Sequence, residues 1–274
     1  MGLRINQNIA AMNAYRNLTV TDGQMGKSLE KLSSGFRINR AADDAAGLSI
    51  SEGLRAQVNG LKVAVRNAQD GISVVQTAEG ALTEVHSILQ RMRSLAVQAA
   101  NEGAADTAAR DAAEVEVTQL ATELTRISDS TRYGATTLLD GTFSGVFQIG
   151  ANAGEELTVA ITQDFDATGL GVNALDFTAA GGAQAAITAL DTAIGTVSTQ
   201  RATLGAVQNR FEHTIANLSV AAENLSASES RIRDTDMAEE MVSFTRAQIL
   251  QQAGVAMLAQ ANSAPQSVLS LLRG

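Results

Sequence analysis

The chain has 274 residues and sets 20 Lys+Arg against 29 Asp+Glu, a formal charge of −9, which excludes a nucleic-acid surface because neutralising phosphates requires a clustered surplus of basic side chains. With no Cys, two His, one Pro and 3% aromatic residues, disulfides, thiolate sites and a histidine metal cage are excluded, no cofactor is expected, and the commonest helix breaker is nearly absent. No apolar run is long enough to span a membrane, so no membrane insertion is expected, and the first residues lack the basic-then-apolar pattern of a cleavable secretory signal.

At the start of the chain, Ile5, Ile9, Met12, Tyr15 and Leu18, then Met25, Leu29, Leu32 and Phe36, recur at intervals of three and four residues, which predicts an amphipathic helix. A polar stretch follows, Arg37, Asn39, Arg40, Asp43 and Asp44, with Asp43 or Asp44 suited to cap the next helix. Then comes a long heptad run. Leu54, Leu61, Ala68, Val75, Leu82, Leu89 and Ala96 are seven apart, with Val58, Val65 and Ile72 between them and Ala78, Val85, Met92 and Ala99 following after a one-residue slip. This spacing predicts a helix over about 44–100, roughly 80 Å long at 1.5 Å per residue, packed against other helices.

Asn101-Glu102-Gly103 reads as a stop and reversal, and Asp106 or Thr107 as a cap. Ala109, Ala113, Val117, Leu120, Leu124 and Ile127 mark a second bundle helix. The period then changes to two: Phe143, Phe147 and Ile149 on one strand, a turn at Ala151–Gly154, and Leu157, Val159 and Ile161 on the return strand predict a hairpin. The stretch 164–183 has no sustained period and reads as loop. Helical spacing resumes from Ile187 to Leu225, and the chain finishes with Phe244, Ala247, Leu250, Gly254, Met257 and Ala261 on one stripe.

The expected fold is therefore mainly α: a long-helix coiled-coil bundle with antiparallel terminal helices and a small β-hairpin region. Residues 1–43 and 231–274 are expected to form the two halves of an inner coiled coil, and 44–230 an outer bundle with the hairpin at about 137–163. Both ends read as amphipathic helices of about 40 residues with narrow stripes. At about 25 cal/mol per Å² such stripes compete poorly with an ordering cost of about 1–2 kcal/mol per residue. The ends are expected to be largely disordered in a free monomer and to order on assembly.

The segment Leu29-Glu-Lys-Leu-Ser-Ser-Gly-Phe-Arg-Ile-Asn-Arg-Ala-Ala-Asp-Asp-Ala-Ala-Gly-Leu48, with Asn67–Ile72 and Gln76–Leu82, resembles the N-terminal hallmark of bacterial flagellins. Arg231–Met241 and Gln251–Asn262 resemble the C-terminal one. The resemblance covers about 1–135 and 185–274 and implies a short flagellin: a subunit exported through the flagellar type III apparatus, secreted, and polymerised into the extracellular filament. It also implies an export chaperone, a cap protein and the hook–filament junction protein as partners, besides other copies of the chain. Ile5, Ile9, Met12, Leu29, Leu32, Phe244, Leu250 and Met257 would lie on the assembly helices. Arg37, Asn39, Arg40, Asp43 and Asp44, with Arg231, Arg233, Asp234 and Asp236, would form the connection between two layers, with charges pairing across subunits.

Gln90, Arg91 and Leu95, with Glu116 and with Asn209, Arg210 and Phe211, resemble the flagellin patch recognised by Toll-like receptor 5; Ser94 departs from the acidic residue expected after Arg93. His86 and His213 read as residues of wet helix faces, and the methionines, Met237, Met241 and Met257 among them, as packing residues. Nothing in the sequence supports an enzyme: no His-Glu-x-x-His occurs, and the adjacent carboxylates Asp43-Asp44 and Glu239-Glu240 diverge on a helix. The alternatives to a filament subunit are a hook–filament junction protein and a soluble coiled-coil binding module.

Overall fold

The computed structural model describes residues 7–101 and 106–273, with side chains to Ser263; Ile5 and the reversal at Glu102-Gly103 lie outside the described residues. Five helices dominate: α1 (Ile9–Ser34), α2 (Ala45–Ala99), α3 (Thr107–Ser130), α4 (Gly182–Arg233) and α5 (Met237–Arg273). Between α3 and α4 lie four short strands: β1 (Arg132–Tyr133) pairs antiparallel with β2 (Thr136–Thr137), and β3 (Phe143–Gln148) with β4 (Glu156–Ile161). No described helix is long and apolar enough to cross a membrane. Two compact units divide the chain, Gln57–Glu223 on one hand and Met1–Ala56 with Asn224–Gly274 on the other.

In the unit Gln57–Glu223, α2 buries a continuous heptad seam. Leu61, Ala68, Val75, Leu82, Leu89 and Ala96 occupy one position of the heptad, and Ala64, Ala78, Val85, Met92 and Ala99 the other. The one-residue slip comes earlier than expected, between the buried Val58 and Ala64: Ala64 and Gly71 hold the seam, and Val65 and Ile72 sit half-buried at its edge. Gly71 is small for a reason. A Cβ there would lie 2.6 Å from the ring of Phe211, which is fully buried on α4 and meets Phe147 edge-on, with centroids 5.6 Å apart. From α3, Val117 and Leu124 complete the helical core, and the Asp106 carboxylate caps this helix by accepting from the Ala109 N–H at 2.8 Å.

The expected hairpin is present, and its register sets Phe143 opposite Ile161 and Phe147 opposite Leu157. Leu157, Val159 and Ile161 are buried while the residues between them are exposed. Glu155 organises its turn by accepting from the N–H and the side-chain amide of Asn152, both at 3.0 Å, and these bonds hold its carboxyl below the ordinary range. Asn67 on α2 donates to the Gln148 carbonyl at 3.0 Å, tying strand to helix.

Residues 164–181 are irregular, as expected, but they are not a surface loop. Phe165 and Phe177 are among the largest fully buried side chains. The segment is fastened by backbone and carboxylate bonds: the Phe165 N–H donates to the Leu139 carbonyl at 3.0 Å, and the Phe177 N–H to Glu114 on α3 at 3.0 Å. The two-residue ladder β1–β2, turned at Gly134 with φ +62°, is likewise an element that the period of the sequence does not announce.

Candidate assembly surfaces

In the terminal unit, α1 and α5 run antiparallel. Asn8, which also caps α1 by accepting from the Ala11 N–H, donates to the Ala261 carbonyl at 2.7 Å. Further along, Gln251 donates to Asp22 at 3.2 Å, and Lys31 meets Glu240 at 3.5 Å. The seam between them is made of small and mixed residues, Ala11, Ala14, Leu18, Thr21, Met25 and Ser28 on α1, and a Cβ at Gly254 would already lie 3.3 Å from Leu18. Among the described residues of the pair, only Ser28 and Ala247 are buried.

Apart from Leu18 and Met25, most of the large apolar side chains face away from this seam. Ile9, Met12, Tyr15 and Leu29 on α1, and Leu250 and Met257 on α5, are each 50% exposed or more, so their spacing marks an outward stripe and not the contact between the two chain ends. Leu32 and Phe244 are half-buried. Two shallow apolar grooves result. One is lined by Met12, Tyr15, Val20 and Leu258, the other by Met241, Val242, Ile249 and Leu250. Contiguous exposed apolar surface of this kind marks an interaction site, since a soluble monomer gains nothing from keeping it wet. Met237, Met241 and Met257, expected as packing residues, are 48%, 49% and 64% exposed, and Met241 lines the second groove.

The connection between the helices is built around Phe36. The helical spacing that included Phe36 does not extend to it, because α1 ends at Gly35, whose φ of +75° gives a left-handed cap with its N–H on the Lys31 carbonyl. Phe36 instead forms an antiparallel bridge with Asp234, flanked by Arg37 N–H to the Arg233 carbonyl at 2.6 Å and Thr235 N–H to the Gly35 carbonyl at 3.0 Å. The Arg37 guanidinium donates to the Ile232 carbonyl at 2.5 Å. Arg233 stacks on Phe36 and pairs with Glu52 at 2.5 Å.

Asp44 caps α2 by accepting from the Gly47 N–H at 2.8 Å. Its neighbour Asp43 turns back, accepting from the Arg40 and Asn39 N–H groups at 3.0 and 3.2 Å, bonds that lower its pKa. Asn39 donates to the Phe36 carbonyl at 3.0 Å, and Arg40 pairs with Glu30 at 2.8 Å. On the other segment, Arg231 donates to Ser228 at 3.0 Å, Asp234 accepts from Ser230 at 2.6 Å, and Asp236 caps α5 through the Ala238 N–H at 2.9 Å. Glu52 and Phe36 are participants that charge patterning alone did not single out, since their roles come from segments distant in sequence.

The receptor-like residues do not form one surface. Gln90 and Arg91 are exposed, and Arg91 pairs with Glu116 at 2.7 Å. Leu95 and Phe211 are buried in the core. The pairs Glu79–Arg201 at 3.7 Å and Arg93–Asp191 at 2.5 Å set the antiparallel register of α2 and α4, and Phe211 lies over Gly71. Asn209 and Arg210 are thus displaced from Arg91 by roughly 30 Å along the helix at 1.5 Å per residue. His213 is exposed, but His86 is half-buried, with Nε2 2.9 Å from Gln90 and Nδ1 buried without a partner. No group of metal-ligating side chains occurs among the described residues.

The family pattern of the bacterial flagellin N-terminal helical region matches residues 5–144, and that of the C-terminal helical region residues 187–272. Flagellin of Halalkalibacterium halodurans is 56% identical over 273 residues, covering 98% of this chain and 99% of its own. Flagellin of Bacillus subtilis is 50% identical over 305 residues, covering 99% and 100%. The flagellar filament 33 kDa core protein of Treponema phagedenis is 48% identical over 286 residues, covering 98% and 99%. Among solved structures, Bacillus cereus flagellin superposes with a TM-score of 0.50 at 32% identity, over 60% of this chain and 94% of that one.

Proposed function

The chain belongs to the bacterial flagellin family, and from that premise we propose that its terminal helix pair is the surface through which copies join. As a flagellin it is the self-polymerising structural subunit of the extracellular flagellar filament, and not an enzyme. The observation that carries the proposal is the inverted burial of α1 and α5, whose seam of small and mixed residues fully buries only Ser28 and Ala247 among the described residues while Ile9, Met12, Tyr15, Leu250 and Met257 are exposed. A helix pair with so little apolar area of its own gains its order from neighbours. Residues 1–43 and 231–274 then form the inner layer of the filament and 44–230 the outer one. The clasp at Phe36 and Arg233 joins the two halves of the inner layer and, through Glu52, holds the start of α2, and the exposed Arg37, Arg40 and Arg231 are available for pairing across subunits. Heterologous contacts of this kind extend into an open helix.

By family likeness the partners in transit and at the tip are an export chaperone, the cap protein and the hook–filament junction protein. The surface read by Toll-like receptor 5 is proposed to be the exposed pair Arg91–Glu116 with Gln90, with Leu95 and Phe211 acting beneath it as core. The test is seeded growth followed by electron microscopy. The full chain is expected to grow long tubes, and variants lacking 1–35 or 240–274 to keep the helical circular dichroism of 57–223 without growing. Growth of either deletion variant, or strong amide protection of α1 and α5 in the dilute monomer, would overturn the proposal.

A further inference from the structure

The chain contains neither Cys nor Trp, which leaves the methionine thioethers as its softest two-electron nucleophiles. Their distribution is uneven. Met92 is fully buried in the core of 57–223. Met25 is half-buried in the seam between α1 and α5. Met12, Met241 and Met257 are 62%, 49% and 64% exposed on the outward face of the terminal pair, and Met237, the first residue of α5, is 48% exposed outside both grooves. Two of them line the apolar grooves, Met12 beside Tyr15, Val20 and Leu258 and Met241 beside Val242, Ile249 and Leu250.

We propose that Met12, Met241 and Met257 are oxidation sites through which peroxide arrests self-assembly of the free subunit, reversibly and without unfolding 57–223. The inference rests on the reading that the terminal pair is the assembly surface. In the reaction, the sulfur lone pair attacks one oxygen of hydrogen peroxide. The S–O bond forms as the O–O bond breaks, the sulfur loses two electrons, and the departing hydroxide takes the proton of the transferred oxygen and leaves as water. The product is a strongly polar sulfoxide on what was an apolar side chain. In the free subunit that dipole is solvated by water. Covered by a second copy, it loses that water among Val20, Leu258, Val242 and Ile249; the donors left include Arg16 and Thr19 in one groove and Thr245 and Arg246 in the other, and drawing any of them onto the sulfoxide removes it from water in turn, so association is weakened. Met92 serves as an internal reference, because the same chemistry there requires opening of the core.

The experiment uses the full-length monomer, treated with hydrogen peroxide and mapped by peptide mass. Met12, Met241 and Met257 are expected to gain one oxygen while Met92 does not, with helical circular dichroism unchanged and seeded growth reduced at least tenfold. A pair of methionine sulfoxide reductases, one for each sulfoxide epimer, with a dithiol reductant is expected to restore growth. Oxidised monomer that grows at the untreated rate, oxidation of Met92 alongside the others, or an arrest that survives reduction would each overturn the inference. In a variant carrying M12L, M237L, M241L and M257L the measured quantity is the ratio of treated to untreated growth. A ratio near one is expected, and a ratio as low as that of the unmodified chain overturns it. Should that variant not grow, reductase rescue of the unmodified chain decides. Failure of the untreated chain to grow sinks the assembly reading and this inference together; growth that ignores peroxide sinks this inference alone.

Discussion

The guanidinium of Arg233 lies 4.8 Å from the ring centroid of Phe36 and holds Glu52 at 2.5 Å with the same head group. Arg55 approaches the ring from 6.0 Å and pairs with Glu229 at 3.0 Å. One aromatic side chain therefore organises two arginines and two glutamates from two other segments, within the unit formed by the chain ends. Arg233→Met keeps the apolar stem but loses both the stacked charge and the ion pair. It is expected to destabilise this unit by about 1–2 kcal/mol. Hydrogen exchange should show faster amides at 35–55 and 228–237 and unchanged ones in α3.

Gly71 and Gly80 make a matched pair on α2. Gly71→Ala forces a methyl group against the Phe211 ring and is expected to lower stability by about 1–3 kcal/mol. Gly80 has nothing within 4 Å of an added Cβ, so Gly80→Ala is expected to raise stability by about 0.5–1 kcal/mol through its helix propensity. Thermal unfolding of the two variants should move in opposite directions.

Phe177 tests whether the irregular segment is core. Phe177→Ala is expected to cost about 3–5 kcal/mol, as for an aromatic lost from any packed interior, and to expose 164–181 to limited proteolysis. A change within about 0.5 kcal/mol, the range of surface substitutions, would show that the segment is dispensable.

Asp140 accepts from the Thr137 hydroxyl and from both the N–H and hydroxyl of Thr142, at 3.0 and 2.8 Å for the latter pair. These donors, Thr137 first, hold its carboxyl below the ordinary value. A depressed folded pKa contributes stability that is present above the unfolded value, about 3.9 for Asp, and is lost as pH falls through the lower folded value. An NMR titration should find the Asp140 midpoint below that of a free aspartate. Asp140→Asn should flatten the acid limb of the stability profile without changing its slope near neutrality.

Met12→Lys and Leu250→Lys place a charge in each apolar groove. The monomer tolerates both, since the side chains are 62% and 50% exposed. Covering an unpaired ammonium between copies is expected to cost about 3 kcal/mol or more, roughly a hundredfold in seeded growth. Growth at the unmodified rate would show that the grooves are not part of the contact.

Much of the architecture was legible before any coordinates. Heptads over 54–99 mark a helix because burial along a helix recurs every 3.5 residues wherever it packs against others, and strict alternation at 157–161 marks a strand because its side chains alternate faces. Asp106 is readable as a cap because capping is local chemistry between a carboxylate and an N–H three residues on. The surface residues were less legible. Ile9, Met12 and Tyr15 have helical spacing, but spacing alone does not say whether a stripe meets the other chain end or a second molecule. Phe211 occupies an apolar position beside two polar ones, and only the cleft above Gly71 places it inside.

By itself, then, the sequence determined the helices, the hairpin and their caps, because these follow from periods and bonds that span a few residues. Tertiary structure decided which apolar residues are left outside. It brought Phe36 out of its helix and under Arg233, drew Phe165 and Phe177 from an aperiodic stretch into the core, and gave the α1–α5 seam a mixed set, Ala11, Ala14, Thr21 and Ser28 beside Leu18 and Met25. Each of these outcomes depends on which segments meet, and burial at a contact is shared between partners that lie far apart along the chain.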